Sequence, residues 1–208
     1  TMEGWYMEKN AQGYYLYTKE GAMYAFDTNG QMSHITTREG KGTTITHSEN
    51  TMTIKDDITG DAITVHYSED GLIQSVSDNL GRNVSIEYID GDLTAITGVT
   101  GGRSVYRYDG CHQMVGATNA NGINYVENTY DDYGRVLTQK EAGKSGVSRL
   151  TYTDMQSGGT VIEICNQNGG VQTIEINAKG EKIKETAPDG AIMEYIYDKY
   201  GNLLNQRD

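Results

Sequence analysis

Apolar and polar residues alternate along most of this chain with a period of two. Ile63, Val65 and Tyr67 share one side of a strand-like stretch, as do Val84, Ile86 and Tyr88, and Met193, Tyr195 and Tyr197. No window of about eleven residues sustains apolar spacings of three and four. The pattern therefore predicts strands and no substantial helix.

Each alternating stretch ends in a turn, and the turns repeat. One series begins with an aromatic residue: Phe26 to Gly30, Tyr67 to Gly71, Tyr130 to Gly134 and Tyr197 to Gly201. Tyr88 to Gly91 is the same unit one residue shorter, and Tyr108 to His112 carries histidine in the last slot. That slot calls for positive φ, which Gly adopts freely and His tolerates better than most residues. A second series lies between: Gly40, Gly60, Gly81, Gly102, Gly122, Gly143, Gly170 and Gly190. Its steps are 20 or 21 residues except Gly143 to Gly170, where an insertion is expected within residues 144–159.

Two turns and two strands per period make a β-meander, with no connection long enough for a parallel crossover. Counting turns predicts about 18 strands and roughly 85 Å of sheet at about 4.8 Å per strand. Open twisted sheets seldom exceed about ten strands without curling or splitting. The expected fold is thus an all-β, long antiparallel array of hairpins over residues 1–208, curved or spiralling into an open shell.

After each aromatic turn comes Gly-x-Φ-x-x-Φ, as in Met32 and Ile35, Ile73 and Val76, or Leu93 and Ile96. Met114 and Ala117 follow His112 at the same offsets. A spacing of three does not fit a plain strand, so a bulge or a late strand start is expected there. In register, the repeated tyrosines would form a ladder across one face. The chain has 16 Tyr and one Phe; a ring with a hydroxyl tip suits a thin wall that is apolar along its body and wet at its end.

Composition narrows the function. Net charge is −12, the wrong sign for displacing counterions from nucleic acid. The stretch Lys179 to Lys184 is interrupted by Glu181 and reads as one solvated strand face. No apolar run approaches the ~18 residues of a membrane-spanning helix. Cys111 and Cys165 supply neither a disulfide framework nor a metal motif. The opening residues from Thr1 to Trp5 carry no basic-then-apolar leader and run straight into strand-like sequence, which reads as a piece of a longer chain.

The units YDDYGRVL (Tyr130 to Leu137) and YDKYGNLL (Tyr197 to Leu204) resemble the YD repeat of Rhs-type proteins, and YDGCHQM (Tyr108 to Met114) resembles its histidine variant. Gly13 to Gly30 is similar to the strand pair that often leads into such arrays. The resemblance covers essentially the whole chain. It implies a function by architecture: in Rhs-like polymorphic toxins, insecticidal toxin complexes and teneurins, such repeats coil into a hollow β-shell. In the bacterial members the shell encloses a C-terminal toxic domain and delivers it to another cell. The parent protein is then secreted or at the cell surface, with the remaining repeats and the toxin domain as partners of this segment. The family's DPxGL-type motif and self-cleaving aspartyl-protease element have no match here; Pro188 lies in a repeat turn. No catalytic residue is carried over, and no cofactor is expected.

Other chemistry reads more simply as structure. The carboxylates Asp56, Asp57, Asp61, Glu69, Asp70, Asp90, Asp92, Asp131 and Asp132 lie in or beside turns, where Asp caps its own backbone. A glycosidase needs two that face each other across a cleft, and no calcium-loop motif is present. His34, His47 and His66 read as solvated strand positions, and Cys111 beside His112 as a turn rather than a nucleophile and its base. The alternative function is an adhesion module that binds carbohydrate or a receptor through a Tyr-rich face, with Trp5, Tyr6, Tyr14, Tyr15 and Tyr17 as stacking candidates. Strands near Trp5 to Met7 and Leu203 to Gln206 would leave open edges, so weak self-association is expected, restrained by the net charge.

Overall fold

The computed structural model describes residues 4–208, which form two compact units, one running to Arg103 and the other from Ser104 to Asp208. Among the described residues there is no helix. The first unit holds β1 (Tyr6–Asn10), β2 (Gly13–Tyr17), β3 (Met23–Phe26), β4 (Met32–Thr36), β5 (Gly42–His47), β6 (Thr51–Asp56), β7 (Ala62–Tyr67), β8 (Ile73–Asp78), β9 (Asn83–Ile89) and β10 (Asp92–Thr97). The second is built from β11 (Arg103–Tyr108), β12 (Met114–Thr118), β13 (Asn124–Tyr130), β14 (Val136–Glu141), β15 (Ser148–Asp154), β16 (Thr160–Cys165), β17 (Val171–Ile176), β18 (Lys182–Thr186), β19 (Ile192–Tyr197) and β20 (Leu203–Arg207).

Within each unit every strand pairs antiparallel with its neighbour in sequence, from β1/β2 to β9/β10 and from β11/β12 to β19/β20. Among the described residues the register pairings run only between strands successive in sequence, so neither meander closes on itself. Among the described residues the strands number 20, not about 18. The aromatic-turn count missed hairpins whose turns lack that signature, such as the β5/β6 turn, where the Ser48 amide bonds the Thr51 carbonyl.

The three-residue spacing after the aromatic turns is a β-bulge. Tyr67 pairs with Ile73 but His66 pairs with Ser75, so Gln74 is extra; Tyr88 pairs with Leu93 and Glu87 with Ala95, so Thr94 is extra. The same shift occurs opposite Phe26, Tyr108, Tyr130, Ile176 and Tyr197. One extra residue turns an odd spacing into an even one, which puts Leu93 and Ile96 on a common face. Ile176 is a further unit that its missing aromatic had hidden.

Register then sorts side chains cleanly. In the first unit Ile54, Ile63, Val65, Val76, Val84 and Ile86 share one face, while Thr53, Thr64, Ser75, Ser77 and Ser85 share the other. In the second, Tyr130, Tyr152, Ile162, Ile174 and Tyr195 lie on the face opposite Thr129, Thr151, Glu163, Glu175 and Lys184. A single-layer sheet has no deep interior, and the burial shows it. Among the described residues only Ala25, Val65, Ala95 and Ala117 are buried apolar side chains. Stability is therefore spread along the array, each hairpin leaning on its neighbours.

The connection between β14 and β15 spans residues 142–147, the long one of the second turn series, whereas residues 155–159 form an ordinary turn. In that series the positive-φ glycines are Gly101 and Gly169, not Gly102 and Gly170.

Candidate functional site: the two faces and the repeat turns

The repeat turn is built by its first side chain. Asp131 Oδ1 accepts the amides of Tyr133 and Arg135 at 3.0 and 2.9 Å, while the backbone closes Asp131 N to Arg135 O and Gly134 N to Asp131 O. Asp27, Asp109 and Asp198 do the same for their own turns, and Asp78, Asn119, Asn166 and Asn177 for others. The fourth residue takes positive φ: Gly30, Gly71, Gly134 and Gly201 lie between 79° and 87°, and His112 at 61°. In the shorter unit Asp90 (52°) and Gly91 (86°) both have positive φ, as a two-residue hairpin turn with the hand of the sheet twist demands.

Three tyrosines use their hydroxyls in one way. Tyr130 Oη donates to the Met114 carbonyl at 2.7 Å, Tyr152 Oη to Val136 at 2.8 Å, and Tyr197 Oη to Lys182 at 3.0 Å. Each acceptor opens a bulged strand: Met114 pairs with Tyr108, Val136 with Tyr130, and Lys182 with Ile176. Past the bulge the ladder to the next strand runs out; β14 and β15 share only Thr138↔Arg149 and Gln139↔Ser148. The hydroxyl supplies the donor that the ladder no longer does. In the first unit His47 Nε2 meets the Met32 carbonyl at 2.8 Å, and Met32 pairs with Phe26, so His47 stands in a tyrosine's place. Neither Tyr152 nor His47 was among the expected repeat positions. Both fall 17 or 18 residues after a positive-φ glycine, Gly134 and Gly30, and that offset was the available signal.

Around Tyr130 the second unit buries a polar side chain. Asn128, 8% exposed, donates to the Met114 carbonyl and accepts from Gln139 Nε2 at 3.1 Å each. Two cationic clusters share this face. Arg135 lies 4.4 Å from the Tyr152 ring centre and bonds Asp131, and Lys182 lies 4.3 Å from the Tyr195 ring and bonds Glu185 at 2.6 Å. The bulge at Ile183 puts Lys182 and Lys184 on opposite faces, so residues 179–184 do not form one solvated face.

The remaining candidates scatter. His34 lies 3.7 Å from Asp57, and His66 Nε2 is 3.4 Å from Ser77 Oγ; with His47 bonded as above, these three are partnered rather than simply solvated. Asp56 caps its own turn through Ile58 and Thr59, and Glu69 and Asp70 are exposed turn residues. Among the described residues no three His, Cys, Asp or Glu side chains group as metal ligands. Cys111 and Cys165 are free thiols. The stacking candidates divide: Tyr6, Tyr15 and Tyr17 share a face, with Tyr6 and Tyr17 stacked at 4.7 Å, whereas Tyr14 lies on the other under Lys9.

Electrostatics at the turns gives a sign. Desolvation raises the Asp131 carboxyl, but the Arg135 amide and guanidinium outweigh it and hold it below the usual range; Asp78 is held down in the same way by Arg82. Asp198 is lowered first by the Asn202 side chain, and Glu185 first by Lys182. A carboxylate lowered in the folded state stabilises fully above its unfolded pKa, and that contribution is lost as pH falls through the folded value. The urea midpoint should therefore hold from neutral pH down to about 5 and fall below about 4. Asp131→Ala should lower the urea midpoint at neutral pH, because the turn amides of Tyr133 and Arg135 lose their acceptor, and Asp131→Asn should lower it by less, because it keeps an acceptor.

Against this geometry the comparisons with known proteins are specific. Residues 89–123, which hold the Tyr108-to-His112 turn and the bulge after it, match the family described as RHS Repeat. That stretch of the chain is an RHS repeat. A curated relative, double-stranded DNA deaminase toxin A of Burkholderia cenocepacia strain H111, is 27% identical to it over 120 residues, which is 50% of this chain and 8% of the relative. Among solved structures, a Photorhabdus luminescens Tc holotoxin pore aligns with 92% of this chain at 14% identity and a TM-score of 0.38, and a TcdB2-TccC3 structure with 92% at 14% and 0.39. The chain spans 14% of each of those chains and so corresponds to a small part of the proteins it is similar to.

Proposed function

We propose that this chain is a wall segment of an Rhs-type β-shell that encloses or displays a C-terminal toxin for delivery to other cells. The observation that carries the reading is the single-layer sheet itself. Each repeat exposes two chemically different faces, one aliphatic and tyrosine-rich, the other built of Ser, Thr and charge, and almost nothing is buried between them. A sheet of this kind separates two spaces; it does not surround a core of its own. The Burkholderia toxin relative supports the reading. On it the segment is structural, its partners are the other repeats and the toxin domain, and the parent protein is secreted or at the cell surface. Turnover such as that named for the Burkholderia relative would belong to the enclosed domain, not to the carboxylates and histidines of these turns.

Limited proteolysis of the intact parent protein tests this. The C-terminal domain should be protected in the native protein and become cleavable when Gly13→Ala opens the wall. Equal cleavage rates in both forms would refute enclosure.

One observation favours a second reading. Tyr6, Tyr15 and Tyr17 lie on a single face, and Tyr6 is 57% exposed, a platform on which a sugar ring could stack. On this adhesion reading, saturable glycan binding should disappear in Tyr6→Ala; binding that survives the change would exclude the platform.

A further inference from the structure

The aliphatic face of the first unit is not evenly filled. Near β6 to β9 it sinks into an open depression of 690 Å³, floored by Ile54, Ile63, Val76 and Val84. Two successive turns on the same edge, between β8 and β9 and after β10, close its end with Leu80 and Val99. These tips are 72% and 58% exposed. Turn tips favour Gly, Asn, Asp and Ser, and neighbouring large aliphatics there, continuous with an apolar floor, mark a contact surface.

The rim is acidic. Asp56, Asp61 and Asp78 line it with Arg82, and Arg82 pairs with Asp78. Asp56 is held by the Ile58 and Thr59 amides, and Asp61 forms no ion pair among the described residues. The rim thus keeps a negative excess in a chain of net charge −12. A second copy of the chain would bring like charge against it, which disfavours a homodimer here.

We propose that this depression docks a basic amphipathic polypeptide segment: aliphatic side chains enter the floor, and flanking Lys or Arg meet Asp61 and Asp56. The repeat sets a length scale. Successive tips on one edge are two strands apart, about 10 Å, which a helix matches with residues i and i+7, about 10.5 Å apart. The inference does not depend on what the parent protein encloses.

The test is titration of the chain with a fluorescent Leu/Lys amphipathic helical peptide of about 18 residues. A scrambled peptide of the same composition and a Leu/Glu counterpart serve as comparisons. Saturable one-to-one binding is expected for the Leu/Lys helix, weaker by about tenfold for the scrambled peptide and undetectable for Leu/Glu. Leu80→Asp and Val99→Asp should each weaken it by about tenfold or more, and Asp61→Lys by several-fold. Because both tips are exposed, the fold should survive; should one variant lose its circular-dichroism spectrum, the other carries the test. Equal binding of helix and scramble, or unchanged binding in both tip variants, would overturn the proposal. So would peptide-free dimerisation abolished by Leu80→Asp, which would assign the surface to a second copy.

Discussion

Gly13→Ala should destabilise the first unit by about 3 kcal/mol, the upper range for forcing atoms into a packed site, and the urea midpoint should fall accordingly. Gly13 opens β2 with φ at +146°, and a Cβ there would lie far inside van der Waals contact with the Phe26 carbonyl oxygen. That oxygen belongs to the backbone of β3, whose residues pair directly with β2, so it cannot rotate away as a side chain could. Gly30 separates the two causes. Its φ is +84°, but an added Cβ would meet nothing within 4 Å. Gly30→Ala should therefore cost only the left-handed strain, about 1–2 kcal/mol. Gly110, with open space and no positive φ, should tolerate alanine almost without change. Equal losses at all three would mean that neither the close approach nor the φ angle governs these positions.

Tyr130→Ala should cost about 3 kcal/mol and Tyr130→Phe about 1 kcal/mol. The first change removes the ring from the tyrosine-bearing face and leaves the Met114 carbonyl and Asn128 without their shared partner; the second removes only the hydroxyl. Tyr152→Phe should behave like Tyr130→Phe, because its hydroxyl meets Val136 in the same way. Tyr133 and Tyr200, 84% and 77% exposed at turn tips, should accept Ala with losses within about 0.5 kcal/mol. Chemical denaturation of the five variants checks the set. Similar small losses throughout would show that the hydroxyl–carbonyl contacts contribute nothing to the array.

Much of this was legible in the residues because the information is local. Alternation along Ile63, Val65 and Tyr67 specifies a strand with two unlike faces wherever it occurs. An Asp followed three residues later by Gly specifies its own turn, since both the capping carboxylate and the positive φ lie within five residues. The odd spacing of Leu93 and Ile96 carried the bulge for the same reason: a strand has only one way to place both on one face. Where local marks were missing, reading by turn signature failed. The β5/β6 hairpin and the Ile176 unit went unseen, and Gly101 and Gly169 were mistaken for their neighbours.

What the residues could not announce depends on which strand edges meet. The tyrosine hydroxyls were read as wet tips of a thin wall, yet Tyr130, Tyr152 and Tyr197 spend them on carbonyls 15 or 16 residues away. That pairing exists only because each bulge shifts the register and ends the ladder early, leaving an acceptor within reach of the next strand. His47 takes the same place with a different ring, so no residue-type pattern reveals it. The five aromatic residues near the start of the chain looked like one platform, but the pairing of β1, β2 and β3 puts Tyr14 on the far side from Tyr6, Tyr15 and Tyr17. The depression under Leu80 and Val99 likewise arises from four strands and two turns brought side by side. Strand, turn and face follow from short-range sterics and alternation. Partners across strands follow from register, which is settled only when the whole array has paired.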